Sequence, residues 1–327
     1  SDFTGFGDEN NVHSLVPGLK THILHTMPTR SAAIQGAVED FNQEKLDNLK
    51  RIELLSFAPM SEQLMTDYDR EFMWSLRYCI LDRPELLPCF LMSVQWNDHL
   101  CVAELYDLLE LWEVPKPHQA LQLLDRKLMD PKVRSFAVHS LDSLDDVELS
   151  LYMLQLCQQL KYENYADSAL SRFLIRRAIG NPRLIGHIFY WSLRSEIYNL
   201  DIKDRFHLLL DVYLKHCEGH ILELGQQMFV MKLLENVAFK VAKGESKEAR
   251  KEILRKSLNS VVLPIEFQLP LNPKFRVSGI RVDKCKVMES KKKPLWLTMT
   301  NADKTKSDIV FIFKVGDDLR QDSLILQ

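Results

Sequence analysis

The strongest constraint on this fold is an apolar repeat of helical spacing that runs almost unbroken from about residue 36 to 262. Apolar residues recur at i, i+3 and i+4, and proline or glycine separates the segments. With only 11 glycines in 327 residues, the chain has few positions for the tight turns of a many-stranded sandwich. The sequence therefore predicts a mainly α protein. Helices are predicted through 72–80 and near 84–93, 98–112, 117–128, 131–142, 146–161, 167–179, 182–197, 203–217 and 220–242.

One of these helices has a specific start signal. Asp130 is placed to cap it, and Pro131 occupies the first helical position. The stretch D-P-K-V-R-S-F-A-V resembles the second helix of a HEAT-type repeat, in which an arginine at the position of Arg134 commonly bonds along the array. The other helix pairs do not repeat this pattern closely. We therefore predict a short α-solenoid of irregular helix pairs.

The periodicity changes from helical to alternating after Pro264. Four short segments alternate between apolar and polar residues: 274–282, 284–288, 295–300 and 309–314. The first changes phase across Gly279, which predicts a β-bulge there. The fold class predicted is mainly α: an α-solenoid followed by a small antiparallel β meander (α+β).

Charge is distributed unevenly along the chain. Residues 1–239 carry 23 basic and 34 acidic side chains, whereas residues 240–296 carry 15 and 6. A basic segment in an acidic protein favours an anionic ligand. For residues 245–256 we prefer a solvated lysine-rich helix, but the run Lys291-Lys292-Lys293 lies between two predicted strands.

Cysteine and histidine spacing argues against metal and disulfide sites. None of the six cysteines forms a C-x-x-C pair, which predicts reduced thiols and a cytosolic compartment. The histidines lack metal-ligand spacing. No apolar run reaches the roughly 18 residues that a membrane-spanning helix needs, so no transmembrane segment is predicted.

A tryptophan on the strand 295–300 suggests a ligand. Strand alternation places Trp296 opposite the apolar side of that strand, where it either packs under the helical domain or meets a flat ligand. The neighbouring lysine run favours a nucleotide, with its base on the ring and its phosphates at the loop.

A second group of charged residues follows the last strand. Lys314 ends a buried-type strand, as the phosphate-binding lysine does in kinase folds. Gly316 permits a sharp exit, and Asp317 or Asp318 can cap the next helix. Asp322 lies four residues beyond Asp318, on the same helical face.

These motifs together resemble one enzyme family. K-V-G-D-D-L-R-Q-D (314–322) resembles the strand-to-helix junction in the N-lobe of phosphoinositide kinases. C-K-V-M-E-S-K-K-K-P-L-W-L (285–297) resembles the phosphate-binding loop of class I phosphoinositide 3-kinases, the gamma type above all. Segments 160–174 and 185–197 resemble their helical (PIK) domain. N-A-D (301–303) and F-K-V-G (313–316) are also similar to class II members, so the class stays open.

The resemblance implies a set of ATP-binding residues: Met288, Ser290, Lys291, Lys292, Trp296, Lys314 and Asp322. Ser290 would contact the phosphates with the loop amides, while Lys291 and Lys292 would lie near the γ-phosphate or the lipid headgroup. The methionine and the tryptophan would flank the adenine. Lys314 would neutralise the α- and β-phosphates, and Asp322 would lie at the back of the pocket.

The implied activity is transfer of the γ-phosphoryl of ATP to the 3-hydroxyl of a phosphoinositide in lipid signalling. Residues 1–35 would be a linker, 36–263 the PIK domain and 264–327 a partial N-lobe. The catalytic loop and the Mg²⁺ ligands are expected beyond Gln327, so no catalytic or metal residue is assigned and the isolated chain is expected to be inactive. Implied partners are a phosphoinositide, a regulatory subunit and a small GTPase, without nucleic acid. The implied location is cytoplasmic, with peripheral recruitment to the plasma membrane.

Two alternatives stay open. The chain could be a non-catalytic helical scaffold that binds a regulatory subunit through four acidic residues around one helix start: Glu62, Asp67, Asp69 and Glu71. Those acids are equally typical of a solvated helix N-terminus. A phosphatidylinositol 4-kinase relative is the other alternative, although the loop M-E-S-K-K-K-P-L-W-L argues against it.

Overall fold

The computed structural model describes residues 47–52 and 65–326. The predicted linker over 1–35 and most of the predicted helical stretch before residue 65, including Glu62, lie outside these ranges. The chain forms two compact units, which meet in sequence at Leu123 and Leu124. Within the described ranges, no helix is both long and apolar enough to cross a bilayer.

The first unit is helical. Residues 47–52 form a helical segment, and four α-helices follow: α1 (Asp67–Ser75), α2 (Leu87–Ser93), α3 (His99–Leu109) and α4 (Pro117–Leu123). A 3-10 turn, Pro84–Leu86, precedes α2. The buried ring of Phe90 lies 5.7 Å from the Trp74 ring and 5.0 Å from the Trp112 ring, centroid to centroid. This aromatic stack forms part of the unit's core.

A capping box starts α1. The Thr66 hydroxyl accepts from the Asp69 amide at 3.2 Å, and the Asp69 carboxylate accepts from the Thr66 amide at 2.9 Å. Asp69 is 1% exposed and also pairs with Arg51. Asp69 is therefore a buried capping residue, neither part of a partner surface nor a solvated acid, whereas Asp67 and Glu71 are exposed.

The second unit begins with an irregular helical region. Its helices are α5 (Pro131–Leu141), α6 (Asp146–Gln159), α7 (Ala169–Gly180), α8 (His187–Arg194), α9 (Lys203–His216), α10 (His220–Ala242) and α11 (Lys247–Ser260). A 3-10 turn, Leu160–Tyr162, follows α6, and a π-helical turn, Pro182–Gly186, precedes α8. Position 186 requires glycine for a steric reason: a Cβ there would lie 2.1 Å from the Tyr213 hydroxyl oxygen.

The predicted start of α5 is confirmed. The Asp130 carboxylate accepts from the amides of Lys132 and Val133 at 2.9 and 3.0 Å. Arg134 is 3% exposed, and its Nε donates to the Glu163 carboxylate at 2.8 Å. Its Nη1 donates to the Leu124 carbonyl at 3.0 Å. The arginine therefore ties α5 to the segments before it and after α6.

Several predicted helices are too long. The helix predicted over 117–128 ends at Leu123, because the Asp125 carboxylate accepts from the Lys127 amide at 2.9 Å and forms a turn that competes with the helix. The helix predicted through 72–80 ends at Ser75. The predicted helix near 84–93 begins with a 3-10 turn at a proline, and the predicted helix near 182–197 begins with a π-helical turn at a proline.

The chain ends in an antiparallel sheet and a short helix. The strands are β1 (Phe267–Leu269), β2 (Asn272–Ile280), β3 (Lys286–Val287), β4 (Leu295–Asn301) and β5 (Ile309–Phe313), and the helix is α12 (Arg320–Leu326). A 3-10 turn, Val282–Lys284, joins β2 to β3. Strands β2 and β3 pair with one edge of β4, β5 pairs with its other edge, and β1 pairs with β2. The predicted fold class is confirmed.

The register explains the phase change in β2. Val277 pairs with Asn301 and Gly279 pairs with Thr300, so two steps along β2 match one step along β4. The predicted bulge beside Gly279 is confirmed. Strand β1 was not predicted, because three residues are too few to show an alternation.

The buried side of the sheet packs on α10 and α11. Side chains of β4, β5 and the two helices share one apolar cluster that includes Val237, Val241, Leu254, Leu258, Leu295, Leu297, Met299 and Phe313. The lysine-rich helix α11 is thus solvated on one side only, since its apolar residues join this core. The predicted domain boundary between residues 263 and 264 lies within this unit and stays a prediction.

Candidate functional site

The other face of the sheet, which we call the open face, carries the predicted tryptophan. Trp296 is half-buried and pairs with Lys286 of β3 on one side and Ile312 of β5 on the other. Ile312 and Val310 are 42% and 47% exposed. By strand alternation, Met288 and Lys314 continue this face beyond the ends of β3 and β5. The result is a flat aromatic surface with aliphatic neighbours.

A cation lies over the indole. The Lys286 ammonium is 4.9 Å from the centroid of the Trp296 ring, within cation–π distance. Sequence reasoning missed this lysine, because only the strand register brings it opposite the tryptophan. The ring therefore presents a surface where a positive charge is already in place.

A hairpin loop of residues 289–293, which we call the basic loop, joins β3 to β4. The Met288 amide donates to the Pro294 carbonyl at 2.8 Å and closes the hairpin. Within the loop, the Lys293 amide donates to the Ser290 carbonyl at 3.0 Å, and Lys293 has a φ of 48°. The Ser290 side chain is exposed.

Two of the three lysines of the loop donate to backbone carbonyls outside the loop. The Lys292 ammonium donates to the Gly316 carbonyl at 2.7 Å, and the Lys293 ammonium donates to the Ala242 carbonyl, at the end of α10, at 3.4 Å. Lys291 is exposed, with no hydrogen-bond or ion-pair partner among the described residues. The bond from Lys292 holds the loop beside the exit of β5.

An ion pair attaches the loop to α11. Glu289 pairs with Lys247 in the first turn of that helix. The hydrogen bond from Lys247, with its charge, lowers the pKa of Glu289. The negative charge that the loop carries is therefore compensated within the protein.

Lys314 lies between two carboxylates. Its ammonium is 3.4 Å from an oxygen of Asp317 and 3.8 Å from an oxygen of Asp322, and 33% of its side chain is exposed. The structure thus brings Lys314 and Asp322, two of the predicted site residues, close together, a contact that the sequence alone did not predict. It is Asp317, rather than Asp318, that joins Asp322 beside the lysine.

The start of α12 uses the residues that the sequence singled out. Gly316 has a φ of +70°, which favours glycine and gives the sharp exit from β5. The Asp318 carboxylate accepts from the Arg320 amide at 3.1 Å. A side-chain hydrogen bond from Arg320, followed by the bond from its amide, lowers the pKa of Asp318 to about 2. Asp318 is therefore the capping residue of the two alternatives.

The arrangement suits an anion beside an aromatic ring rather than a metal. Lys292 and Lys314 lie at the exit of β5, and the Trp296–Ile312 pair is the second pair of the β4–β5 ladder from that end. Among residues 47–52 and 65–326, no group of three or more histidine, cysteine or acidic side chains is placed to hold a metal ion.

Comparisons with known proteins identify similar chains. The accessory (PIK) domain of the phosphoinositide 3-kinase family matches residues 39–226. The chain is 41% identical over 282 residues to phosphatidylinositol 3-kinase 2 of Dictyostelium discoideum, which covers 86% of this chain and 15% of that protein. It is 42% identical over 275 residues to phosphatidylinositol 3-kinase 1 of the same organism, covering 84% and 17%. The chain thus spans less than a fifth of the length of these relatives.

Proposed function

The chain belongs to the phosphoinositide 3-kinase family, and from that premise we propose that its open face, basic loop and Lys314 form part of an ATP site. The observation that carries the proposal is the bond from the Lys292 ammonium to the Gly316 carbonyl, 2.7 Å long. It holds the loop beside the exit of β5, where Lys314 lies. On this proposal, a cationic loop, a second ammonium and an aromatic ring would face one bound nucleotide.

The roles we propose follow from charge and exposure. Ser290 and the loop amides would donate to phosphate oxygens, and Lys291 would supply the cation that has no partner among the described residues. Lys314 would neutralise the α- and β-phosphates, with Asp322 holding the ammonium in place. The adenine would lie against Trp296, flanked by Met288, in a position that requires the Lys286 side chain to move off the ring.

Lys292 would serve the site in one of two ways. While it donates to the Gly316 carbonyl it fixes the loop, and a phosphate that replaced the carbonyl would recruit its charge directly. Mg²⁺ would supply the charge neutralisation of the transferred phosphate. The described residues do not form a set that fits this ion, so no ligand for it is assigned in this chain.

The reaction we propose is transfer of the γ-phosphoryl group of ATP to the 3-hydroxyl of a phosphoinositide headgroup. The names of the relatives, each a phosphatidylinositol 3-kinase, support this substrate and position. We propose a class I, gamma-like member on the loop M-E-S-K-K-K-P-L-W-L. A cytoplasmic location, recruitment to the plasma membrane, a regulatory subunit and a small GTPase belong to the same proposal.

A lysine substitution tests the proposal. In the native protein, Lys314→Met should reduce transfer of labelled phosphate to phosphatidylinositol vesicles by about 100-fold, because a preorganised charge on the phosphates is lost. Lys284→Met is the matched control, since that lysine pairs with Asp308 on the same sheet at 2.8 Å, in the part of the sheet near the β4–β5 turn. Retained activity in Lys314→Met would show that this lysine does not act on the phosphates.

The position of the transferred phosphate is a separate outcome. Phosphate found on the 4-hydroxyl would favour the 4-kinase alternative.

A further inference from the structure

A buried carboxylate of the helical region reaches the helix that follows the sheet. Glu196 lies just after α8, and its side chain is 4% exposed. One of its oxygens accepts from Gln158 of α6 at 2.9 Å and from Lys161 at 2.8 Å. The same oxygen pairs with Arg320, the first residue of α12. Glu196 therefore connects the solenoid to a residue 124 positions later in the chain.

Arg320 is held in the orientation that this contact needs. Its Nε and Nη2 donate to the two oxygens of Asp318, both at 2.8 Å, which leaves Nη1 for Glu196. A guanidinium shared between two carboxylates in this way is geometrically fixed. With Lys161, the group contains two positive and two negative side chains, so its charge is balanced.

The charge on Glu196 is maintained despite its burial. Burial raises the pKa of Glu196, but hydrogen bonds from Lys161 and Gln158, the charge of Lys161 and the bond from Arg320 together hold it below the usual value. A buried carboxylate is tolerated only with such donors. The loss of any one of them would leave a buried charge incompletely compensated.

The first turn of α12 is held from two sides. Residues two apart in a helix point in nearly opposite directions, since each residue turns the helix by about 100°. Arg320 faces Glu196, while Asp322 faces Lys314 at 3.8 Å. A shift of α12 away from Glu196 would therefore change the position of Asp322 relative to Lys314.

We infer that Glu196 is a positioning residue, which acts through Arg320 to fix the first turn of α12 and so to set Asp322 against Lys314. The inference rests on the proposed function for its meaning, since Lys314 is the lysine assigned there to the nucleotide phosphates. In this role, the helical region fixes the position of the carboxylate beside Lys314, although it lies outside the sheet.

A second buried ion pair provides a matched control. Arg134 and Glu163 have side chains that are 4% and 6% exposed, and they join helical segments only. Glu163→Gln and Glu196→Gln therefore make the same chemical change at equally buried positions. Only the second variant breaks a link to α12.

The test measures α12 and Lys314 directly in the 327-residue chain. Hydrogen exchange reports the opening of the α12 amides, and mass spectrometry reports the rate at which an amine-reactive reagent labels Lys314. Glu196→Gln should raise α12 exchange by about tenfold, as expected for the loss of one charged hydrogen bond, and Arg320→Gln, which also loses both bonds to Asp318, should raise it at least as much. Lys314 labelling should rise several-fold, and the double variant should add little to either single change.

The controls separate positioning from general loosening. Glu163→Gln should lower the midpoint of chemical unfolding without changing α12 exchange or Lys314 labelling. Arg320→Lys, which keeps the charge but loses the fork, should fall between Arg320→Gln and the unaltered chain. The inference is overturned if Glu196→Gln leaves both readouts unchanged, or if Glu163→Gln raises them equally.

Nucleotide binding is measured separately with a non-hydrolysable ATP analogue and Mg²⁺ on the native protein. If the native protein does not bind the analogue, the proposed function fails, while α12 exchange still decides whether Glu196 positions the helix. If it does bind, Glu196→Gln should weaken binding and Glu163→Gln should not. Equal binding by all three proteins would overturn the positioning role.

Discussion

The two faces of β4 show how one strand serves two purposes. Leu295, Leu297 and Met299 are each 0% exposed and pack against α10 and α11. Trp296, between the first two, is half-buried on the open face under the Lys286 ammonium. The apolar face is explained by burial alone, whereas the open face combines a ring with charges that do not contribute to a core. Strand alternation thus separates the side chains of the apolar cluster from those of the proposed site.

The largest expected effect is on the buried face. Leu297→Ala should lower the free energy of unfolding by about 2–5 kcal/mol, because it leaves a cavity in a close-packed cluster. Denaturant unfolding measures the change. Binding of the ATP analogue, scaled to the folded fraction, should not change. A selective loss of binding at full folding would contradict the separation of the two faces.

A second effect comes from histidines in the helical region. Burial lowers the pKa of His220 to about 4, and the neighbouring His187 adds to this. A folded pKa below the unfolded value means that the native state is fully stable above about pH 6.5 and loses stability as pH falls toward 4. The loss should reach about 3 kcal/mol.

The surroundings of His220 define the control for this pH effect. Nδ1 of His220 lies 2.7 Å from the Tyr213 hydroxyl, and the nearby charges of Glu223 and Arg183 act in opposite directions. The free energy of unfolding, measured between pH 4 and 7, should depend less steeply on pH in His220→Gln. It should keep its slope in His216→Gln, which alters an exposed histidine. An unchanged slope in both variants would assign the acid sensitivity elsewhere.

Trp296→Ala should affect binding more than stability. Loss of a half-exposed ring should cost about 1 kcal/mol of unfolding free energy. Loss of a stacking surface should weaken ATP-analogue binding by about tenfold, since base–aromatic stacking contributes about 1–3 kcal/mol. Trp296→Phe keeps a ring and should restore most of the binding. A large stability loss with unchanged binding would place the tryptophan with the core.

The smallest expected effect concerns the exposed pair between Glu289 and Lys247. Both side chains are 72% exposed, so Lys247→Met should leave the unfolding midpoint unchanged. Hydrogen exchange in the basic loop should rise, and more so at low salt, where the pair is least screened. A measurable loss of stability would show that the basic loop contributes to the core, so that the stabilising contacts are not confined to the buried face.

Local signals made most of the fold predictable. Helical periodicity and the cap at Asp130 located the helices, and alternation located four of the five strands. Helix ends were less predictable, because a turn such as that at Asp125 depends on one side chain competing with the helix. Strand β1 is too short to carry a period.

The candidate site was predictable only where its residues are close in sequence. The basic loop and the exit at Gly316 follow from local patterns. Lys286 depends on strand register, and the contact of Glu196 with Arg320 depends on tertiary packing across 124 positions. Which of Asp317 and Asp318 caps α12 depends on the local backbone geometry, and the sequence is compatible with either residue.

Strand β4 also dictates the order in which the sheet can assemble during synthesis. Among the described strands, β3 and β5 pair with β4 alone, and β2 has β1 as its other neighbour. A nascent chain that has emerged only as far as β3 can therefore form the β1–β2 hairpin but nothing wider. The remaining apolar surface of α10 and α11 stays exposed until β4 and β5 have been synthesised, so a translational pause just before β4 would prolong the exposure of that surface.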